Sequence, residues 1–146
     1  MTRALHLRTA MPLEIQAVVR GSIADTQFAT DTITVILFWA SWCSACKKIF
    51  PVIDRLQKKY QSKAVKFVAL SQDAEKDVSR ALRNMKWACD GVLFATECGA
   101  STKKYMVEYD VNSIPHCFIV GKDGNMVWHG HPTSLDKILH VKVSTV

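Results

Sequence analysis

Two cysteines separated by two residues, Cys43 and Cys46, are the best candidates in this chain for doing chemistry. They follow an apolar run that predicts a buried strand, and they open a segment with helical periodicity. A C-x-x-C pair at a strand-to-helix junction is typical of a redox-active dithiol. The free N–H groups at a helix start, with Lys47 and Lys48 nearby, favour a thiolate over a thiol. The pattern therefore indicates thiol–disulfide exchange.

The spacing predicts different roles for the two sulfurs. Because Ser44 and Ala45 occupy the opening helical turn, the second sulfur can approach the first and close a disulfide with little backbone movement. Cys43, nearer the helix end and solvent, is the expected attacking nucleophile. Cys46, one turn inward, is the expected resolving thiol that releases a mixed disulfide.

A zinc site is the main structural alternative for such a pair. It would need two further ligands at workable spacing. The available candidates are His129 with His131, and singly Cys89, Cys98, His116 and Cys117. There is no second C-x-x-C, so the context favours redox chemistry, and we expect no metal and no organic cofactor.

A proline before a predicted strand, Pro115, is the second informative residue. A proline is tolerated as the first residue of a strand, which is the plain interpretation. The functional interpretation is a cis peptide bond after Ile114, beside the cysteines, where main-chain groups could bind an incoming substrate strand. From physical chemistry alone the cis form is the minority state of an X-Pro bond, and both interpretations stay open.

The elements that must position these residues follow from periodicity. An edge strand is predicted from Leu13 to near Gly21. Further strands are predicted at 32–39, 65–70, 92–95, 116–120 and 125–129, the last two joined as a hairpin through 121–124. Helices are predicted at 43–60 with a kink at Pro51, at 74–87, at 100–108 and from Ser134 onward. This order predicts an α/β fold with a mixed central sheet flanked by helices on both faces.

Length and composition predict one domain. The chain has 146 residues, 49% hydrophobic and 22% charged, without repeats or a linker. We expect a core at about 13–140 preceded by an N-terminal extension, 1–12. No apolar stretch is long enough for a membrane helix, and no leader pattern is evident, so we expect an unanchored chain.

The net charge of +6 reflects 19 Lys and Arg residues against 13 Asp and Glu residues, with basic residues in scattered doublets. Without an arginine-rich tract or a basic strand interleaved with aromatic residues, nucleic-acid binding is not expected. A basic field could attract acidic protein partners. Five cysteines are an odd count, and the three outside the pair are expected to be free thiols in a reducing compartment, which favours the cytoplasm.

These motifs together resemble the thioredoxin superfamily. The resemblance rests on the segment 39–46, on Pro51 five residues later and on Ile114–Pro115 before a strand. The inserted helix at 74–87, with the segments 119–124 and 128–132, is similar to the redoxin branch of TlpA/ResA-like thiol-disulfide oxidoreductases. The resemblance covers roughly 13–140.

The resemblance implies a thioredoxin-like fold and specific roles for residues around the pair. Cys43 would be the nucleophile, Cys46 the resolving thiol and Pro115 a cis proline beside them, with Trp42 shielding one side. It also implies protein disulfides or dithiols as substrates and an upstream dithiol donor as partner. The protein is expected to reduce its substrates rather than oxidise them.

The chain departs from this family at three places. Ser44–Ala45 stands where Gly-Pro is frequent, which tunes the reduction potential in an unknown direction. Leu37 stands where thioredoxin itself often has a buried Asp, so a proton acceptor for Cys46 is missing there. Glu108 or a water is the guess for a substitute. His116 replaces a residue that is more often Thr and is a candidate modulator of the thiolate.

Other functions are weaker fits. A thiol peroxidase needs a Pro and a Thr ahead of the reactive cysteine, and 38–42 contain neither. Copper delivery on this fold resembles C-x-x-x-C, which has one residue more than this spacing. A non-catalytic adaptor would have little reason to keep two cysteines at a helix start. The oligomeric state is not predicted.

Overall fold

A computed structural model describes residues 8–22, 28 and 30–144. Its elements are β1 (Ala17–Arg20), β2 (Ile33–Trp39), α1 (Ser44–Lys47), α2 (Phe50–Lys59), β3 (Val65–Ser71), α3 (Glu75–Arg83), β4 (Val92–Thr96), α4 (Ala100–Glu108), β5 (His116–Val120), β6 (Met126–Gly130), a 3₁₀ turn (Pro132–Ser134) and α5 (Leu135–Ser144).

The strands form one mixed sheet in the order β1-β4-β3-β2-β5-β6. Strands β2, β3 and β4 are parallel, whereas β1, β5 and β6 each run antiparallel to their neighbours. Every residue of β2 is buried, because helices cover both faces of the sheet at its centre. The predicted α/β fold with a mixed sheet is confirmed.

Side-chain alternation along β2 divides the core into two layers. Val35, Leu37 and Trp39 face a layer that also holds Cys46 and the apolar sides of α2, α3 and α5. Ile36 and Phe38 face the opposite layer, which contains Tyr105 of α4. The cysteine pair and α4 therefore lie on opposite faces of the sheet.

The predicted helix 43–60 is two helices rather than one kinked helix. α1 ends at Lys47 and α2 begins at Phe50, with Pro51 in its first turn. Proline has no N–H to donate and its ring clashes with the carbonyl four residues earlier, so the chain breaks just before it. In the break, the Ile49 N–H donates to the Cys46 carbonyl at 3.1 Å.

Two other predicted boundaries were wrong. The first strand begins at Ala17 rather than 13, since Ala17 already pairs with Thr96, the last residue of β4, so the ladder between the two strands ends there. The helix predicted at 74–87 spans Glu75–Arg83, and the chain continues to Trp87 without helical structure.

The segment before β1 packs on the sheet. The Met126 N–H donates to the Arg8 carbonyl at 2.7 Å, and the Ala10 N–H donates to the Gly124 carbonyl at 2.9 Å. Ala10 is buried against the α4 layer. The described part of the predicted extension, 8–12, thus extends the edge of the hairpin, while 1–7 lie outside the described residues.

None of the helices in the described ranges has the length and apolar character needed to cross a bilayer.

Candidate active site

Cys43 lies where the chain leaves β2 and enters α1. Its N–H donates to the Ala40 carbonyl at 3.2 Å, closing a turn that ends the strand. Cys43 is the N-cap of α1, and its sulfur accepts a hydrogen bond from the Cys46 N–H at 3.1 Å. The two residues form a disulfide with Cα atoms 5.2 Å apart, within the usual range for such bonds.

The two cysteines differ in accessibility. Cys46 is completely buried, whereas Cys43, although buried, keeps 8% of its surface exposed. Trp42 beside them is 74% exposed, and Ser44 and Ala45 are also exposed. Cys43 is therefore the more accessible of the two residues, which is the order that the predicted roles of nucleophile and resolving thiol require.

The local cause of thiolate stabilisation differs from the sequence-based argument. α1 has only four residues, so its dipole is weaker than that of a long helix. In the reduced pair, the same hydrogen bond from the Cys46 N–H to the Cys43 sulfur would stabilise the negative charge of a thiolate directly.

Pro115 lies at the end of β5 that borders this site. The register pairs His116 with Phe38, so Pro115 is next to the last residue of β2, from which the Cys43 loop departs. The Ile114–Pro115 peptide bond is cis, as the resemblance implies. Pro115 is buried and Ile114 packs against both core layers.

His116 faces away from the cysteines. In β5, Cys117 and Ile119 point into the layer of Cys46, so the alternation places the His116 side chain on the opposite face. There its Nε2 lies 3.0 Å from His129 Nδ1. Burial, with the nearby His129 and His131, lowers the pKa of His116 to about 4. A direct effect of His116 on the Cys43 sulfur is therefore not supported by this placement.

Glu108 does not replace the missing carboxylate. Leu37 is buried in the layer of Cys46, as expected for an apolar residue. Glu108 lies on α4, on the other side of the sheet, and pairs with Arg8 at 2.6 Å with about half of its side chain exposed. The guess that Glu108 serves Cys46 was wrong, because α4 packs against the opposite face.

Asp73 is a site-supporting residue that the sequence reasoning missed. Its Oδ2 accepts from the Ser41 N–H at 2.6 Å and from the Ser71 hydroxyl at 2.9 Å. It thereby ties the loop before Cys43 to the end of β3. The available signal was a Ser-x-Asp sequence directly after a buried strand, a pattern typical of side-chain-capped turns.

The three remaining cysteines are free thiols in different surroundings. Cys98 is exposed, and Cys89 and Cys117 are buried. Burial raises the pKa of Cys89 to about 12 and raises that of Cys117 also. Cys89 and Cys117 therefore have little thiolate character and behave as packing residues.

The zinc candidates do not converge in the described part of the chain, where no group of three or more His, Cys, Asp or Glu side chains is arranged to hold a metal. His131 instead accepts from the Thr133 N–H at 3.2 Å.

Comparison with known proteins gives relatives of the same kind. Over 90 residues the chain is 32% identical to the thiol-disulfide oxidoreductase ResA of Bacillus cereus, covering 62% of this chain and 49% of ResA. The chain thus spans about half the length of these ResA relatives.

Solved structures share the fold. The thioredoxin domain of a Bacteroides vulgatus thiol-disulfide oxidoreductase superposes with a TM-score of 0.70 at 19% identity, over 94% of this chain and 99% of that one. A Corynebacterium glutamicum thiol-disulfide isomerase gives 0.74 at 11% identity, over 92% and 95%. A family model described as thioredoxin-like matches residues 31–126. The chain therefore belongs to the thioredoxin-like family.

Proposed function

We propose that this protein is a thiol-disulfide oxidoreductase that exchanges electrons between its Cys43–Cys46 pair and protein disulfides. The observation that carries the proposal is the pair itself. Cys43 is the more exposed residue of the two and its sulfur accepts a hydrogen bond from a backbone N–H, while Cys46 is completely buried and disulfide-bonded to it. The ResA relatives, named thiol-disulfide oxidoreductases, support the same chemistry.

The reductive cycle begins with both cysteines reduced. The Cys43 thiolate attacks one sulfur of a substrate disulfide, which forms a mixed disulfide and releases the other substrate sulfur as a thiolate. Cys46 then loses its proton and attacks Cys43 Sγ, breaking the mixed disulfide. The second substrate sulfur leaves and takes up a proton. Two electrons pass from the dithiol to the substrate, and the Cys43–Cys46 disulfide remains.

Residues around the pair would position the substrate. The exposed Trp42 precedes Cys43 in the chain, and the main chain at Ile114 and Pro115 lies beside the end of β2, from which the Cys43 loop departs. A substrate strand lying along Ile114 would place its disulfide over the nucleophile. An upstream dithiol partner would return the pair to the dithiol state by the reverse exchange.

We propose reduction as the physiological direction and a reducing compartment, the cytoplasm, as the location. The exposed free thiol of Cys98 supports this, because an exposed thiol is open to pairing in an oxidising compartment. No step of the cycle requires a metal or an organic cofactor.

The reduction potential of the Cys43–Cys46 pair tests the proposal. The protein is equilibrated in glutathione buffers of graded poise, and free thiols are trapped and counted. Cys43→Ser and Cys46→Ser serve as controls that identify the responding sulfurs. A reduction potential of about −270 mV supports a reductant, and one of about −120 mV indicates an oxidant instead. If no disulfide forms between these cysteines at any poise, the oxidoreductase proposal fails.

A further inference from the structure

A groove runs from the edge of the cysteine pair to α3. Ser41, which precedes the pair, and Lys47, which follows it, form one side of this groove. Residues of α3 and of the segment after it, from Asp77 to Trp87, form the other side. We call it the α1–α3 groove. Its volume, about 390 Å³, lies within the range of pockets that bind organic ligands or large side chains.

The floor of the α1–α3 groove is apolar. Trp39 and Phe50, packed edge to face at 5.0 Å, form its base, and Ala81 and Met85 line it from the α3 side. Trp87 also lines the groove and remains 42% exposed. An apolar side chain inserted here would cover surface that is now open to water.

The rim of the groove is positively charged. Lys47, Arg80 and Lys86 line it, against the single carboxylate of Asp77. Asp77 lies 3.8 Å from Arg80, whereas neither lysine has an ion-pair partner among residues 8–22, 28 and 30–144. Such a rim attracts carboxylates and repels lysine and arginine.

We propose that the α1–α3 groove binds the part of a protein substrate next to its disulfide, and that it selects segments with an aromatic side chain between carboxylates. This inference rests on the proposed function. Because Ser41 and Lys47 belong to the same loop and helix as the cysteines, a chain held at Cys43 reaches the groove within a few residues. Charge complementarity then favours acidic segments over basic ones.

Peptide mixed disulfides provide the probes. The glutamate probe carries phenylalanine between two glutamates, then two glycines and a cysteine joined to mercaptoethanol by a disulfide. In the lysine probe both glutamates are replaced by lysine, and in the glycine probe the phenylalanine is replaced by glycine. Hydroxyethyl disulfide, which is small and neutral, measures the intrinsic reactivity of the pair. The readout is the second-order rate constant for reduction by the reduced protein.

Two groups of variants test the surface. Arg80→Ala with Lys86→Ala removes two exposed charges from the rim. The matched control, Lys76→Ala with Arg83→Ala, removes the same charge from exposed positions at α3 that do not line the groove. Trp87→Ala removes an exposed part of the apolar wall. All of these side chains are exposed, so folding is not at risk, and urea unfolding verifies it.

The wild-type protein should reduce the glutamate probe about tenfold faster than the lysine probe, with the glycine probe between them. The rim variant should slow reduction of the glutamate probe about threefold to tenfold. In Trp87→Ala, the ratio of the rate constant for the glutamate probe to that for the glycine probe should be smaller than in the wild-type protein. The control variant should change neither the rate constant for the glutamate probe nor this ratio. Hydroxyethyl disulfide should react at the same rate with all variants.

Equal rates on the glutamate and lysine probes overturn the groove proposal, as does an equal effect of the rim and control variants. If the wild-type protein does not reduce hydroxyethyl disulfide, the proposed function has failed instead. The groove is then judged by equilibrium binding of a cysteine-free glutamate peptide, followed by tryptophan fluorescence. Binding that the rim variant weakens supports the groove, and absence of binding overturns it.

Discussion

Replacing His116 by glutamine should flatten the acid dependence of stability. His116 Nε2 and His129 Nδ1 are 3.0 Å apart, so while both rings are neutral the N–H of one ring donates a hydrogen bond to the nitrogen of the other. When both rings are charged, both nitrogens carry protons and face each other. The pair is packed against Phe118 and Tyr109, and Arg8 lies over the Tyr109 ring at 5.1 Å. These neighbours offer no carboxylate that would compensate a second charge.

The sign follows from the two states of the chain. Burial lowers the pKa of both histidines in the folded protein, to about 4 for His116 against its ordinary value of 6.5. As the pH falls below 6.5 the unfolded chain therefore takes up protons before the folded protein does. Stability from His116 is present at neutral pH and is lost as the pH falls toward 4.

The magnitude follows from the same values. With a folded-state pKa of about 4, the contribution of His116 to the free energy of unfolding falls by about 2 kcal/mol between about pH 7 and about pH 5. Since solvent reaches part of this pair and screens it, we expect about half of that, roughly 1 kcal/mol. His129 acts in the same direction, and the two rings titrate as a coupled pair.

Urea unfolding of the oxidised protein, followed by tryptophan fluorescence at several pH values, measures this loss. The decrease in unfolding free energy from about pH 7 to about pH 5 should be roughly 1 kcal/mol smaller in His116→Gln than in wild type. His140→Gln is the matched control, because His140 is exposed on α5, and it should retain the wild-type decrease. Parallel curves for wild type and His116→Gln would refute the reasoning, because carboxylates titrate alike in both.

Two further predictions concern the site and the free thiols. Asp73→Ala should lower the free energy of unfolding by about 1–3 kcal/mol, since the partly buried Ser41 N–H loses its acceptor. Asp73→Asn, which keeps an acceptor oxygen, should lower it less. Urea unfolding measures both losses, and equal losses would contradict the hydrogen-bond explanation. Iodoacetamide should label Cys98 in the folded protein but label Cys89 and Cys117 only after unfolding, as mass spectrometry of the labelled peptides would show; labelling of all three at one rate would contradict the burial argument.

The central strands and the cysteine pair could be predicted from local sequence. The strand ending at Trp39 is a continuous apolar and β-branched run, and a run of that kind is favourable only where both faces of a sheet are covered. The C-x-x-C spacing brings two sulfurs together within one turn, whatever the rest of the chain does. The break near Pro51 is equally local, because it follows from the covalent structure of proline.

The neighbours of these elements depended on the tertiary structure. Alternation along β5 could be predicted, but which face receives Cys46 is decided by the packing of the helices, and this separates His116 and Glu108 from the cysteines. The first strand was predicted too long because its extent is set by β4, a partner more than seventy residues away.

The thiol–disulfide exchange proposed for Cys43 and Cys46 could be predicted from local sequence, since periodicity and spacing act between residues that are near in the chain. The surroundings of the pair depend on the tertiary structure: the Asp73 hydrogen bond to Ser41 and the α1–α3 groove with its cationic rim. These features join segments that are distant in sequence. No local pattern encodes such contacts, because the free energy that forms them comes from burial and pairing across the whole core.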